Sequence, residues 1–233
     1  MTPTRRVAIA ALGLVVALCC AFATYVVHRV FVGTEVGQTA DQALLEKAAT
    51  LPVAVAHAAE SVLSLFTVPL VLAVCAVPPL VAVLRRSPWH AVAALVLVGG
   101  ANITTQVLKD HVFERPDLLA LGAPNSLPSG HTTVVASVML GLVLIVPSAW
   151  RRPAAVVGLV ATLLVGLATI LAGWHRLSDV AAALLVSLAW SGLVLVVMAL
   201  RPQPTPVAVP VAGSGTASGA GSAAPTERLT ARR

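Results

Sequence analysis

The segment Pro153–Leu200, PAAVVGLVATLLVGLATILAGWHRLSDVAAALLVSLAWSGLVLVVMAL, consists of two long apolar runs on either side of a short polar stretch, His175–Asp179. Each run has the roughly 20 apolar residues that an α-helix needs to cross the hydrocarbon core of a bilayer. The segment therefore predicts two consecutive membrane-spanning helices, with His175–Asp179 at the membrane surface between them.

The composition of the whole chain supports the same prediction. Of its 233 residues, 58% are hydrophobic and 10% are charged, and the mean hydropathy is +0.93. A soluble domain cannot bury that much apolar surface, so the bilayer must be the main solvent. Aromatic residues are few and no alternating strand pattern occurs, which favours helices. The cysteines, Cys19, Cys20 and Cys75, lie in apolar runs and indicate no disulfide framework.

Six runs in the sequence are long enough to cross a bilayer. They lie near residues 7–28, 60–83, 88–108, 131–148, 153–173 and 179–200. We therefore predict an all-α fold, a polytopic membrane helical bundle of about six transmembrane helices within residues 1–201. The loop 33–59 should contain a short amphipathic helix around Asp41–Ala49. Residues 202–233, rich in Pro, Gly, Ala, Ser and Thr, are predicted to be a disordered cytoplasmic tail.

Basic residues mark alternate ends of the predicted spans. They are Arg5, Arg6, Arg85, Arg86, Arg151, Arg152 and Arg201. The positive-inside rule then puts both termini in the cytoplasm and the polar stretches on the extracytoplasmic face. Because the net charge of +6 is concentrated at helix ends and in the tail, it does not indicate nucleic-acid binding. Residues 1–23 have a cleaved signal peptide as their alternative, although their apolar run is long for one.

The pair His175 and Asp179 is the first candidate for chemistry. Spaced i,i+4, the two side chains share one face of a helix. The carboxylate would accept the proton of one imidazole nitrogen and leave the other as a nucleophilic lone pair. A metal site or an ordinary helix-surface pair is the alternative, but two ligands are too few for a metal and no Cys or acidic cluster joins them. We predict no metal and no cofactor.

Two further stretches contain residues suited to phosphate chemistry. In Pro128-Ser129-Gly130-His131, the glycine and the following helix N-terminus could receive an anion, the Ser129 hydroxyl could reach a phosphate oxygen, and His131 could protonate a leaving alkoxide. Taken alone, this string is better explained as a capped turn. Lys109 and Arg115, at the end of the third run, could bind phosphate oxygens or simply anchor the helix at the interface.

Together, the three stretches resemble the type 2 phosphatidic acid phosphatase superfamily, which also includes vanadium haloperoxidases. Its signature is K-x-x-x-x-x-x-R-P, then P-S-G-H, then S-R-x-x-x-x-x-H-x-x-x-D. The middle motif is complete at Pro128–His131, and the third keeps His175 and Asp179. The motifs lie between about Asn102 and Ala182, and the resemblance extends to the six-span layout with the site on the outer face.

The chain departs from this pattern at two places. Five residues separate Lys109 from Arg115, where the family has six. Ala168 and Thr169 replace the serine and arginine of the third motif, which removes a phosphate-holding arginine. Arg176 is close in sequence but about 100° around a helix from His175, so it is a candidate substitute.

The resemblance implies a membrane hydrolase that removes phosphate from a lipid phosphate or a polyprenyl diphosphate without a metal. His175 would be the nucleophile, Asp179 would orient it, and His131 would be the acid and base. Lys109, Arg115, Ser129, Gly130, Thr169 and Arg176 would stabilise the transferring phosphoryl group. The alternatives are a phosphotransferase that uses an alcohol acceptor and a non-catalytic lipid-binding member, the latter suggested by the missing arginine.

Overall fold

A computed structural model describes residues 2–201, and these residues form helices with no strand among them. The α-helices are α1 (Pro3–Val27), α2 (Glu35–Ala49), α3 (Val53–Leu63), α4 (Val68–Leu84), α5 (Pro88–Val107), α6 (Gly130–Ile145), α7 (Arg151–Leu171) and α8 (Leu177–Leu200). Short π-helical turns extend α1 over His28–Val32 and α5 over Leu108–Val112. The predicted all-α membrane bundle is confirmed, whereas the predicted tail, 202–233, lies outside the described residues.

Within the described residues, four helical segments are long and apolar enough to cross a membrane. They are Pro3–Val32, Pro88–Val112, Ser148–Leu171 and Leu177–Leu200. A fifth span results if the bent pair Val53–Leu63 and Val68–Leu84 is counted as one, and the apolar helix Gly130–Ile145 is shorter. The chain is therefore a multi-pass membrane protein, and about six spans agrees with this arrangement.

Prolines account for the two spans that differ from the sequence prediction. The predicted run 60–83 is not one helix, because α3 and α4 meet at an angle of 63° across the break after Leu63. Pro69 lies in the first turn of α4, where its missing N–H is tolerated. Helix α6 ends at Ile145 because Val146, which precedes Pro147, is extended.

Small residues bring α1 and α8 into close contact along their length. A Cβ atom added at Gly192 would lie 2.4 Å from the carbonyl oxygen of Gly13, and Ala17 is also in contact. At one end of this pair, Arg6 Nε donates to the carbonyl oxygen of Ala199 at 2.7 Å. Helix α5 packs against α4, α6 and α8 and completes the bundle. These contacts fix α8, whose first turn contains the motif residue Asp179.

Helix α2 lies across the end of the bundle that contains the three motifs. It is the amphipathic helix predicted around Asp41–Ala49, but it begins six residues earlier, where Thr34 caps Gly37 N–H at 3.0 Å. Gly37 permits a close crossing, because a Cβ there would lie 1.9 Å from the carbonyl oxygen of Val30. Beneath α2, a buried cluster joins three parts of the chain: Val32, Phe113, Leu127 and Ala182.

Candidate active site

The three motif stretches meet at one end of the bundle. The first runs from the end of α5 into the loop that follows, the second begins α6, and the third connects α7 to α8. A backbone hydrogen bond from Ser129 N–H to the carbonyl oxygen of Asp179, at 3.0 Å, joins the second motif to the third. The three stretches, which the sequence placed on one face of the membrane, therefore lie next to one another in the fold.

The side chains of His175 and Asp179 are in contact, as predicted, but they do not share a helix, because His175 and the extended N-cap Arg176 precede α8. The Nδ1 atom of His175 lies 3.2 Å from Oδ2 of Asp179, and both residues are buried. With Nδ1–H donating to the carboxylate, Nε2 keeps its lone pair. The backbone N–H of His175 also donates to the carbonyl oxygen of Thr169 at 3.1 Å, so the end of α7 holds the histidine in place.

Asp179 is fully buried, and several donors stabilise its carboxylate. Besides His175, Oδ2 accepts hydrogen bonds from Arg176 N–H at 2.9 Å and from the Ser126 hydroxyl at 2.7 Å. Donors of this kind favour the ionised form of a buried carboxylate. The arrangement therefore provides a fixed negative charge next to the imidazole of His175.

A cavity of about 590 Å³ opens beside this pair, between α4, α5 and α6. Its polar end contains Lys109, Gly130, His131 and His175. The rest of the wall is mainly apolar and extends along the helices: Val71, Leu72, Cys75, Leu95, Val98, Ile103 and Val134. The cavity thus combines a small polar end with a long apolar wall.

Two side-chain donors lie over Gly130 at this polar end. A Cβ atom built on Gly130 would be 3.5 Å from Nε2 of Gln106 and 4.0 Å from Nζ of Lys109. The absence of a side chain at Gly130 keeps this space open beside the N-terminal amides of α6. An ammonium group, an amide and helix N–H groups together suit an anion the size of a phosphate.

Aromatic rings surround His131. Its ring centroid lies 5.2 Å from that of Phe66, 5.5 Å from that of Trp174 and 6.4 Å from that of His175. Phe66 belongs to the break between α3 and α4, so this irregular segment places a ring against the site. Both histidines line the same cavity, and the distance between their rings leaves room for a phosphoryl group between them.

Two predicted phosphate ligands have hydroxyl groups that bond within the protein instead of lining this cavity. Ser129 is fully buried, and its Oγ accepts a hydrogen bond from the Thr132 hydroxyl at 3.1 Å. Thr169 is also fully buried and donates to the carbonyl oxygen of Gly166 at 2.7 Å. Phosphate contact by these two residues therefore stays a prediction, and both visibly support helix ends.

Arg115 and Arg176, two further predicted phosphate ligands, are not among the residues that line this cavity, and they lie near one another and near the carboxylates of Asp41 and Asp179. Arg176 donates to the Ser126 hydroxyl at 3.4 Å and to Oε1 of Gln42 at 3.3 Å. Burial lowers the pKa of Arg115, and the nearby Arg176 lowers it further, whereas Asp179 and other carboxylates raise it. Guanidinium groups carry a positive charge in proteins. They thus contribute positive charge close to the carboxylate of Asp179.

Sequence reasoning did not identify several residues of the site. Ser126 and Phe66 lie in irregular segments with no motif around them, so no spacing rule pointed to either. The sequence contains one indication for Gln106, because a polar residue near the end of an apolar span usually faces the protein or water. Among the described residues, no group of three or more His, Cys, Asp or Glu side chains is arranged to hold a metal ion.

Comparison with known proteins agrees with this geometry. The sequence profile of the PAP2 superfamily matches residues 89–202, which include all three motif stretches. The fold is similar to the crystal structure of the first transmembrane PAP2-type phosphatidylglycerolphosphate phosphatase from Bacillus subtilis. The TM-score is 0.63 and the sequence identity 22%, over 76% of this chain and 93% of that chain. No curated protein sequence matches significantly.

The fold and the site define a helical, multi-pass membrane protein with a histidine–aspartate pair at the polar end of a largely apolar cavity. The chain belongs to the PAP2 superfamily and is a membrane-spanning member of it.

Proposed function

We propose that this protein hydrolyses a lipid phosphate or a polyprenyl diphosphate through a phosphohistidine intermediate formed on His175. One observation carries the proposal: the His175–Asp179 pair stands at the polar end of a cavity whose remaining wall is mainly apolar. Such a cavity suits a ligand with an anionic headgroup and a hydrocarbon chain.

The chemistry proceeds in two displacements at phosphorus. In the first, Nε2 of His175 attacks phosphorus while the bond to the lipid oxygen breaks, and His131 donates a proton to that oxygen. Asp179 balances the positive charge that develops on the imidazole of His175. In the second, His131 accepts a proton from water, the water oxygen attacks phosphorus, and the bond from phosphorus to Nε2 breaks. Inorganic phosphate is released and His175 is regenerated.

Positive charge and N–H groups stabilise the transferring phosphoryl group. Lys109, Gln106 and the backbone at Gly130 border the space next to His175. Arg115 and Arg176 add positive charge near Asp179 without lining the cavity. Ser129 and Thr169 stabilise the helix ends. Catalysis of phosphoryl transfer rests mainly on positioning and on charge stabilisation, which is what this set of groups supplies.

The absence of the family's arginine at Thr169 favours one alternative, a member of the superfamily that binds lipid phosphate without cleaving it. A phosphotransferase that passes the phosphoryl group to an alcohol would share the first displacement. Phosphate release from a panel of lipids distinguishes these functions. The panel comprises phosphatidic acid, phosphatidylglycerolphosphate and a polyprenyl diphosphate, each with and without added alcohol. Release without alcohol supports the hydrolase, transfer alone supports the phosphotransferase, and binding without either supports the non-catalytic member.

Vanadate should inhibit the purified protein, and EDTA should leave its activity unchanged. Vanadate adopts the five-coordinate geometry that the proposed transition state requires, so the site should bind it more tightly than phosphate. The measurement is phosphate release in detergent, with phosphate itself as the comparison inhibitor. Loss of activity in EDTA, followed by recovery with a divalent metal, would contradict the metal-independent mechanism.

We further propose that both termini are cytoplasmic and that the site faces outward. A cysteine at Leu121, an exposed residue in the loop after the first motif, should then react with a membrane-impermeant thiol reagent on intact cells. A cysteine at Ser148, in the connection between α6 and α7, should react only after the membrane is permeabilised. Both variants need a background without Cys19, Cys20 and Cys75. Labelling of Ser148→Cys alone on intact cells would reverse the orientation.

A further inference from the structure

One face of α2 contains three polar residues that bond to the motif segments. Gln38, Asp41 and Gln42 are spaced i, i+3 and i+4, so their side chains share one side of the helix. Gln38 and Asp41 are buried, with 2% and 3% of their surface exposed. Burying an amide and a carboxylate costs free energy unless both groups form hydrogen bonds, so these side chains need partners within the protein.

Asp41 binds the first turn of α8. Its Oδ1 accepts a hydrogen bond from Ser178 N–H at 3.1 Å, and its Oδ2 accepts one from the Ser178 hydroxyl. The first N–H groups of a helix have no partner within that helix, so an acceptor at Ser178 satisfies one of them. Ser178 directly precedes Asp179. The Asp41 carboxylate therefore holds the turn from which the partner of His175 projects.

The other two residues extend these contacts to further motif segments. The side-chain amide of Gln38 donates to the carbonyl oxygens of Pro116 and Val32, both at 2.7 Å. Pro116 ends the first motif, directly after Arg115. Gln42 accepts a hydrogen bond from Arg176 at 3.3 Å. Helix α2 is thus bonded to the first motif and to the third at the same time.

Hydrogen bonds and neighbouring cations offset part of the cost of burying the Asp41 carboxylate. Burial raises the pKa of Asp41, and the nearby Asp179 also raises it, whereas the hydrogen bonds from Ser178 and the charge of Arg176 lower it. Arg115 is a second cation near the same carboxylate. Two guanidinium groups and two carboxylates therefore compensate one another beside the site. A neutral residue at position 41 would remove one of the carboxylates that balance these cations.

We infer that Asp41 is a positioning residue, and α2 a positioning element, for the His175–Asp179 pair. The hydrogen bonds from Ser178 to Asp41 keep the first turn of α8 at the distance and angle at which Asp179 orients His175. This inference rests on the proposed function, since it concerns the geometry of the same nucleophile. Displacements on the order of 1 Å in such a pair lower the rate of the chemical step about 100-fold, with substrate binding largely retained.

The test compares Asp41→Ala and Asp41→Asn with wild type and with Glu35→Ala, in the phosphate-release assay on the best lipid of the panel. Glu35 is an exposed carboxylate on the same helix, so its variant controls for loss of one negative charge. Asp41→Ala should lower kcat roughly 10- to 100-fold with little change in KM, and Glu35→Ala should change neither. Asp41→Asn, which keeps one acceptor oxygen, should recover part of kcat.

A double-mutant cycle with Ser178→Ala separates positioning from general loss of stability. If Asp41 acts through Ser178, adding Ser178→Ala to Asp41→Ala should cost little more than Asp41→Ala alone. Thermal unfolding is measured for every variant, and Asp41→Asn decides the outcome if Asp41→Ala does not fold. Unchanged kcat in both Asp41 variants would overturn the inference, as would an effect on KM alone or strictly additive effects of Asp41 and Ser178.

A parallel His175→Ala variant keeps the inference distinct from the proposed function. If His175→Ala retains activity, the proposed nucleophile is wrong, whatever the Asp41 variants do. If wild-type activity depends on His175 while the Asp41 variants behave like Glu35→Ala, only the positioning role of α2 is wrong.

Discussion

Replacing His175 with alanine should lower phosphate release by more than about 1,000-fold, because it removes the only proposed nucleophile. The variant should still insert and fold, since the backbone hydrogen bond from residue 175 to the carbonyl oxygen of Thr169 does not depend on the imidazole. The measurement is kcat/KM on the best lipid of the panel, with thermal unfolding as the check on folding.

Replacing His131 should have a smaller but still large effect. As the proposed acid and base, it contributes roughly 100- to 10,000-fold, and a leaving group that needs no proton should recover part of the loss. An aryl phosphate with an acidic phenol provides that comparison. His57→Ala is the matched control, because His57 is an exposed histidine on α3 that does not line this cavity. Near-wild-type activity of the His175 variant would refute the mechanism.

Replacing Arg176 with alanine should produce the second large loss. Its guanidinium bonds to Ser126 and Gln42 and lies near Asp41, so the variant breaks two hydrogen bonds and leaves a buried carboxylate with less counter-charge. A hydrogen bond to a charged group contributes roughly 1.5–3 kcal/mol, so kcat/KM should fall at least about ten-fold. Arg176→Lys should recover less than half of the loss in free energy, because lysine cannot form the planar fork.

The same experiment tests whether Arg176 takes the place of the arginine that the family has at position 169. Position 169 is fully buried and its hydroxyl bonds to its own helix, so Thr169→Arg should also lower activity, by crowding and by adding charge. Arg29→Ala, at an exposed arginine, is the control. Improvement with Thr169→Arg and no loss with Arg176→Ala would instead indicate an ordinary family site that has lost one ligand.

Hydrophobic runs and motif order predicted the bundle and the central pair of the site. Helical spacing predicted the contact between His175 and Asp179, but His175 precedes α8, and the capped turn at the N-terminus of that helix brings the two side chains together instead. The short helix of the loop 33–59 was predicted as well. Its beginning at Glu35 was not predicted, because the N-cap Thr34 lies outside the apolar pattern that indicated the helix.

Contacts between segments far apart in the chain could not be predicted. Ser126 reaches Asp179 across 53 residues, and Asp41 reaches Ser178 across 137. Ser126 lies in an irregular segment, and the free N–H of Ser178 in the first turn of α8 requires an acceptor without indicating which one. The position of α2 depends on the close crossing at Gly37. The bend between α3 and α4 was missed for another reason. Hydropathy averages over Pro69, although that proline begins a new helix.

Trapping a phosphoryl group on His175 is the most direct test of the proposed mechanism. Purified protein is mixed with the lipid of the panel that it hydrolyses, which carries radioactive phosphorus in the transferred group. The reaction is quenched in alkaline denaturant within milliseconds to seconds, and the protein is digested for mass spectrometry. If His175 receives the phosphoryl group, we expect a base-stable, acid-labile label on the peptide that contains His175, and no label in His175→Ala. A wild-type enzyme that turns over with no label at any quench time, or with the label on another residue, would contradict it.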